Sequence, residues 1–394
     1  MDSSSSLLWH GPAWFAGRSL PGSAGPIPGL SADVDLIAAF EAATQPPSTL
    51  PCVVLVDVNT VNALNDPQMF WNWLTKNIAA LKTDVPVLLL CAPGTILPQR
   101  PRADAVLDSA IPDYTLFDII CDVQRALMRS EEARLRRLSF GRIPGYGTAA
   151  HYKGASGVLV IGMGGRFLQV QQASQRKVEV IGAFSQQMGE DYLAQRAFDA
   201  VILDSPFDET LENLHKLRMD ARFASLPAIA ITEIEADVPT LYRAGATDVL
   251  KLPLSNADLQ LRLAAAIRSG KRRRLADKTL AESHKWLAQQ LTTGGVSQDY
   301  YARYLKQAGA ALKLRGLEIW EMKLLPENFS KANASTLLAP NLYGTVLSIA
   351  AATSREEDLV CFVHDVGPIA VLKSERGKEN LQARINAILG HTLL

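Results

Sequence analysis

Two short stretches decide most of what this chain can become. Cys52-Val53-Val54-Leu55-Val56-Asp57 and Phe198-Asp199-Ala200-Val201-Ile202-Leu203-Asp204 are almost wholly apolar, and each ends in an acid. A strand with one face in water alternates apolar and polar residues. A strand that is apolar throughout is buried on both faces, as in a parallel sheet flanked by helices. Around both runs, helix-period segments alternate with further apolar runs. That rhythm predicts two open α/β sheets in succession.

In the first unit a helix is expected over 67–81, strands over 86–91 and 104–111, and a long helix over 115–138. Leu116, Ile119, Ile120, Val123 and Leu127 form one apolar stripe on that helix, and its end, 129–137, reads mostly as a solvated face. Upstream of Cys52 no credible first strand is visible. Trp9, Trp14 and Phe15 indicate burial, 21–29 is a loop by composition, and 33–43 has helical spacing. The proline-bearing stretch 95–102 is too short for a helix of the usual length, and 140–155 reads as a linker.

The second unit is more complete. Strands are expected over 158–161, 178–181, 200–204, 228–232 and 248–250, with helices over 209–221, 238–244 and 256–268. Here the chain resembles the response-regulator receiver family. The strand ending in Asp204 matches the phosphoacceptor strand, and Leu226 to Thr232 matches the strand ending in the switch hydroxyl. Ala244-Gly245-Ala246-Thr247-Asp248 through Pro253 matches the segment that closes the domain. The resemblance implies a flavodoxin-like fold. Its chemistry needs a Mg²⁺ held by acids after the first strand, because the metal offsets phosphoryl charge. Those positions read Gly162-Met163. The lysine expected before Pro253 is Leu252, and Lys251 lies one residue early, which on a strand turns it to the other face. In the first unit Asp57 takes the phosphoacceptor position, with Ile111-Pro112 in place of Lys-Pro. Both units read as degenerate receivers, Asp57 and Asp204 as degenerate phosphoacceptors, and Thr232 as the switch position.

Composition narrows the partners. Lys+Arg and Asp+Glu number 40 each, which argues against a protein that coats a nucleic-acid backbone. Lys271-Arg272-Arg273-Arg274 sits in a charged helix, 268–290, expected to be a solvated stalk. Cys52, Cys91, Cys121 and Cys361 lie in apolar runs without metal-ligand spacing, so small buried thiols in a reducing cytosol are expected and no metal site. Gly162-Met163-Gly164-Gly165 lacks the third glycine of a dinucleotide loop, because that position is Phe167. No signal peptide and no membrane-spanning run are visible in the sequence.

The remaining constellation lies near the C-terminal end. Leu359–Val363 and 368–372 read as two strands joined by a turn through His364-Asp365-Val366-Gly367. Just before them, Arg355 and Asp358 are three residues apart, so in a turn both can face one ligand. An arginine fork suits phosphate oxygens or the O6/N7 edge of guanine, and a carboxylate accepts from guanine N–H groups. The region resembles the GGDEF (diguanylate cyclase) family, in which R-x-x-D upstream of the catalytic hairpin forms an inhibitory cyclic di-GMP site. The resemblance places Arg355 and Asp358 in that site, with Arg384 on the final helix as a further contact and Arg376 as a weaker candidate. The catalytic hairpin residues do not match, and Val366 stands where a metal carboxylate is needed beside Glu321. Phosphoryl transfer between two nucleotides needs that metal to neutralise charge and align the attacking hydroxyl.

The expected domains are a degenerate receiver over 1–139, a linker over 140–155, a second degenerate receiver over 156–270, a helical stalk over 271–290, and a truncated, degenerate GGDEF domain over 291–394. This order resembles tandem-receiver members of the family that have lost catalysis. It implies a cytoplasmic homodimer that binds cyclic di-GMP, has no enzyme activity, and acts as a scaffold at the cell pole. There it would help an adaptor deliver cell-cycle regulators to the ClpXP protease. A nucleotide-independent scaffold and a phosphorylation-gated diguanylate cyclase are the alternatives.

Overall fold

The computed structural model describes residues 7–17, 30–46, 49–92, 94–95, 102–109, 111–143, 146, 156–174, 178–325 and 339–392. The expected loop over 21–29, most of 95–102 and most of the expected linker fall outside the described residues. The chain divides into two compact units, Met1–Leu127 with Lys153–Arg274, and Met128–Tyr152 with Leu275–Leu394.

The first unit holds two parallel five-stranded sheets. In the first sheet, β1 (Gly11–Ala16), β2 (Leu30–Asp35), α1 (Leu36–Glu41), β3 (Val53–Asp57), α2 (Val58–Asn62), α3 (Pro67–Ala80), β4 (Val87–Cys91) and β5 (Ala105–Asp108) precede α4 (Asp113–Phe140). The strand order β2-β1-β3-β4-β5 is the flavodoxin-like order. It corrects the expectation of no credible first strand. Part of the segment expected to be helical is also β2, and the helix is confined to α1. The signal in β1 was hidden by Pro12, which cannot donate to a ladder. The register against β2 shifts at that residue, between Gly11 and Ala13, and the Pro12 carbonyl still accepts from Cys52 N at 3.0 Å. Gln124 of α4, fully buried, binds the backbone of Leu8, Trp9 and Cys52 and secures the strand's entry.

The second sheet uses β6 (Ser156–Gly162), α5 (Phe167–Ala173), β7 (Val178–Ala183), α6 (Gln186–Gln195), β8 (Ala200–Asp204), α7 (Phe207–Met219), β9 (Ala228–Thr232), α8 (Val238–Arg243) and β10 (Asp248–Lys251), followed by α9 (Asn256–Gln290). Its order, β10-β9-β8-β6-β7, is again flavodoxin-like. All residues of β8 and β9 are buried, as their unbroken apolar runs require. The open edges β5 and β10 shield each other, which removes an aggregation hazard. Arg262 and Arg268 of α9 donate to the Val106 and Ala103 carbonyls, and Lys251 pairs with Asp108 at 3.2 Å. Within the basic run Lys271 is exposed, but two arginines are paired rather than solvated. Arg272 pairs with Asp104 and Arg274 with buried Asp199, both at 2.6 Å.

The second unit contains the ends of α4 and α9, then α10 (Gln298–Lys313), β11 (Trp320–Lys323), α11 (Ala339–Thr353), β12 (Leu359–Val363), β13 (Gly367–Leu372) and α12 (Glu375–Thr392). Its sheet is antiparallel, in the order β11-β13-β12. Strand alternation splits the hairpin between two cores. Leu359, Cys361, Val363, Ile369 and Val371 pack on α10, whereas Val360, Ala370 and Leu372 meet α11 and α12. Leu381 and Ile385 carry the α12 stripe, and the Leu389 side chain falls outside those described. The four cysteines are buried, and burial pushes the thiols of Cys91, Cys121 and Cys361 up to about 12. Among the described residues no helix is long and apolar enough to cross a membrane.

Candidate functional site

In the first unit, Asp204 ends β8 beside β6, where chain connections leave in opposite directions and α/β sheets open a crevice. The Asp204 carboxylate is 6% exposed. One oxygen accepts from the Arg166 backbone N at 3.1 Å, the other from Arg166 Nη1 at 3.0 Å. A guanidinium therefore balances the charge of this buried carboxylate. Gly162 lies opposite Asp204 in the ladder with φ of 150°, and a Cβ there would fall 1.9 Å from the Asp204 carbonyl oxygen. This backbone leaves no space for an acidic side chain. Met163 is 81% exposed and contributes only its N–H, to the Asp204 carbonyl.

The other positions that the sequence resemblance singles out also take local partners. The Thr232 hydroxyl bonds within its own loop, to Ile234 and Asp237 at 3.2–3.4 Å. Lys251 turns to Asp108 and Glu235, and Leu252 lines the cavity of about 350 Å³ above Asp204 together with Arg166 and Thr210. In the first sheet, Asp57 caps α2 by accepting from Asn59 N at 2.9 Å and Thr60 N at 3.4 Å.

In the second unit, the loop between α11 and β12 folds differently from the expectation. Asp358 is 5% exposed, and its carboxylate accepts from Arg355 N at 3.1 Å and Lys373 N at 3.2 Å. Asp358 N returns a bond to the Arg355 carbonyl at 3.0 Å, which closes the turn on itself. The Arg355 side chain is instead 62% exposed, with Glu357 at 4.0 Å. The two side chains thus do not face one ligand, because the carboxylate is consumed by backbone donors. Burial, then the neighbouring Glu357, pushes the Asp358 carboxyl up to about 6. Arg384 reaches the Thr353 carbonyl at 3.0 Å, so a second exposed guanidinium lies at the start of this loop. Arg376 is exposed in the first turn of α12.

Behind the loop lies a buried polar cluster, in the stretch 129–137 whose pattern predicts a solvated helix end. Glu132 and Arg136 are 1% and 0% exposed. The Glu132 carboxylate accepts from Arg136 Nε at 2.7 Å, from the Tyr304 hydroxyl at 2.9 Å, and from Lys373 Nζ at 2.9 Å. Arg136 Nη2 donates to the Glu356 and Asp358 carbonyls at 3.1 and 2.7 Å. The i,i+4 spacing of Glu132 and Arg136 was the one available signal, and it is shared with many exposed pairs.

The hairpin turn is exposed. Asp365 and Gly367 have φ of 62° and 102°, and His364 pairs with Asp365 at 2.8 Å. On β11, Glu321 accepts from the Tyr301 hydroxyl at 2.8 Å, and burial together with Glu321 pushes that phenol upward. Among the described residues no three His, Cys, Asp or Glu side chains gather as metal ligands.

No protein-family model matches this chain, and no curated protein does. Among solved structures, a chain described as a probable two-component system response regulator/GGDEF domain protein aligns at 15% identity and a TM-score of 0.27, covering 66% of this chain and 99% of its own. A second chain of that kind gives the same values. A GsuK channel aligns at 12% identity and a TM-score of 0.19, over 96% of this chain and 79% of its own. Likenesses of this size carry no weight for function.

Proposed function

We propose that this chain is a non-catalytic signalling scaffold built on two receiver-type sheets and a GGDEF-like unit, and that it works without phosphorylation. The observation that carries this reading is the seating of Arg166 on Asp204. A phosphoryl group there would need a divalent cation beside it. The guanidinium holds that place, and Gly162 leaves no room for the acid that would replace it. The test is incubation of the full chain with acetyl phosphate and Mg²⁺, followed by intact-mass analysis. An unmodified mass is expected, and an acyl phosphate on Asp204 would overturn the reading.

A second reading adds cyclic di-GMP as ligand of the second unit. The exposed guanidinium of Arg355 and that of Arg384, tethered to Thr353, favour it. In this version the arginines take the phosphates and guanine edges, and Asp358 shapes the turn. The chain then resembles PopA, a cyclic di-GMP effector that moves to the cell pole and serves ClpXP proteolysis through an adaptor. A homodimer in the cytoplasm, no enzyme activity, and an adaptor as partner follow from that resemblance. Calorimetric titration with cyclic di-GMP separates the readings. Binding that is lost in Arg355→Ala supports the receptor; equal binding by both proteins removes it.

A further inference from the structure

We infer that the second receiver-type sheet carries a docking surface for a basic amphipathic segment of a partner protein, where the loops after β6, β7, β8 and β9 gather. Met163, Leu168, Phe184 and Ile234 are 81, 67, 67 and 58% exposed. Met163 and Ile234 both border the mouth above Asp204. The Phe184 ring lies against the bare backbone of Gly164, where a Cβ would fall 2.8 Å from its Cε1. Leu168 follows in the first turn of α5. Single exposed apolar side chains are ordinary, but four large ones at one end of one sheet form the kind of patch that marks an interaction site. Phe184 gives it an aromatic anchor.

The charge around the patch selects the partner. The connections that follow β8 and β9 carry Asp208, Glu209, Glu233, Glu235 and Asp237. Two cations lie among them. Arg166 is bound to Asp204 and lies 3.7 Å from Glu233, and Lys251 is bound to Asp108 and Glu235. Asp208 and Glu209, between Phe207 and Thr210 of the mouth, are exposed and enter no ion pair among the described residues. The surplus of carboxylates attracts Lys and Arg and repels a phosphate headgroup or a nucleic-acid backbone. The occupant therefore presents an apolar stripe flanked by cations, as a basic amphipathic helix does. The proposal gives the scaffold reading a partner and rests on it.

The test titrates the methyl-labelled full chain with a leucine–lysine amphipathic peptide and, separately, with its leucine–glutamate counterpart. The lysine peptide is expected to shift the methyl resonances of Met163, Leu168 and Ile234 and to leave those of Met69 and Met219, exposed elsewhere, in place. Phe184→Ser is expected to weaken binding roughly tenfold. Asp208→Asn together with Glu209→Gln is expected to weaken it about threefold and to flatten its salt dependence. Equal binding of the two peptides or an unmoved Met163 methyl would overturn the proposal, and neither result needs a variant. Wild-type affinity in Phe184→Ser would also overturn it. So would self-association in sedimentation velocity that Phe184→Ser abolishes, because the patch would then belong to a second copy. An acyl phosphate on Asp204 would remove the scaffold reading without moving these resonances, so the two failures are distinct.

Discussion

Replacing Glu132 with alanine removes the only carboxylate bonded to two buried cations in the second unit's described polar cluster. Arg136 and Lys373 have side chains 0% and 9% exposed, and both donate to Glu132. Without it, two positive charges share a largely buried space, and the Tyr304 hydroxyl loses its acceptor. Breaking a buried pair costs about 3–5 kcal/mol, and the second cation puts this site toward the upper end. That corresponds to a rise of roughly 10²–10⁴ in the opening equilibrium of the surrounding backbone. Because the chain has two compact units, a single unfolding free energy is not the right readout. Hydrogen exchange of peptides from α10, β12 and β13 is. Glu132→Ala is expected to lose most protection there, whereas Lys216→Ala, at an exposed pair, is expected to change nothing measurable. The sign with pH is also set. Burial alone would raise the Glu132 carboxyl, but Lys373 and Arg136 outweigh it and hold it below its ordinary value of 4.5. A depressed carboxyl stabilises the fold above the unfolded value and loses that contribution as pH falls through the folded one. Exchange in Glu132→Ala no faster than in Lys216→Ala would refute the reasoning.

Three further outcomes are expected. The Asp358 carboxyl should titrate near 6 in carbon-detected NMR, and a midpoint near its ordinary 3.8 would contradict the burial seen here. Because its folded value is the higher one, its contribution to stability rises as pH falls from about 6 toward 3.8, opposite in sign to that of Glu132. Phe70→Ala empties a fully buried site among Phe40, Trp71 and Trp73 and should cost about 3–5 kcal/mol, read as lost exchange protection in the first sheet. Gly162→Ala drives a Cβ against the Asp204 backbone at a positive φ; a soluble variant with wild-type thermal stability would show that the β6 to β8 approach is looser than described.

Much of the architecture was legible in the chain itself. Unbroken apolar runs placed β3, β8 and β9, and the alternation of strand and helix periods announced two α/β sheets. Two short apolar runs separated by turn residues placed the β12–β13 hairpin within a residue at its boundaries. These signals are local, because a run of side chains carries its own burial requirement. What the tertiary structure decided is where polar residues spend their bonds. Pro12 sits in a central sheet strand because the register shifts around it. Glu132 and Arg136, indistinguishable by spacing from an exposed helix pair, are buried because Tyr304 and Lys373 arrive from elsewhere in the chain. Asp358 turns inward because two backbone N–H groups, one of them fifteen residues away, need an acceptor. A polar side chain takes whichever partner the fold brings within about 3 Å, and sequence spacing alone does not name that partner.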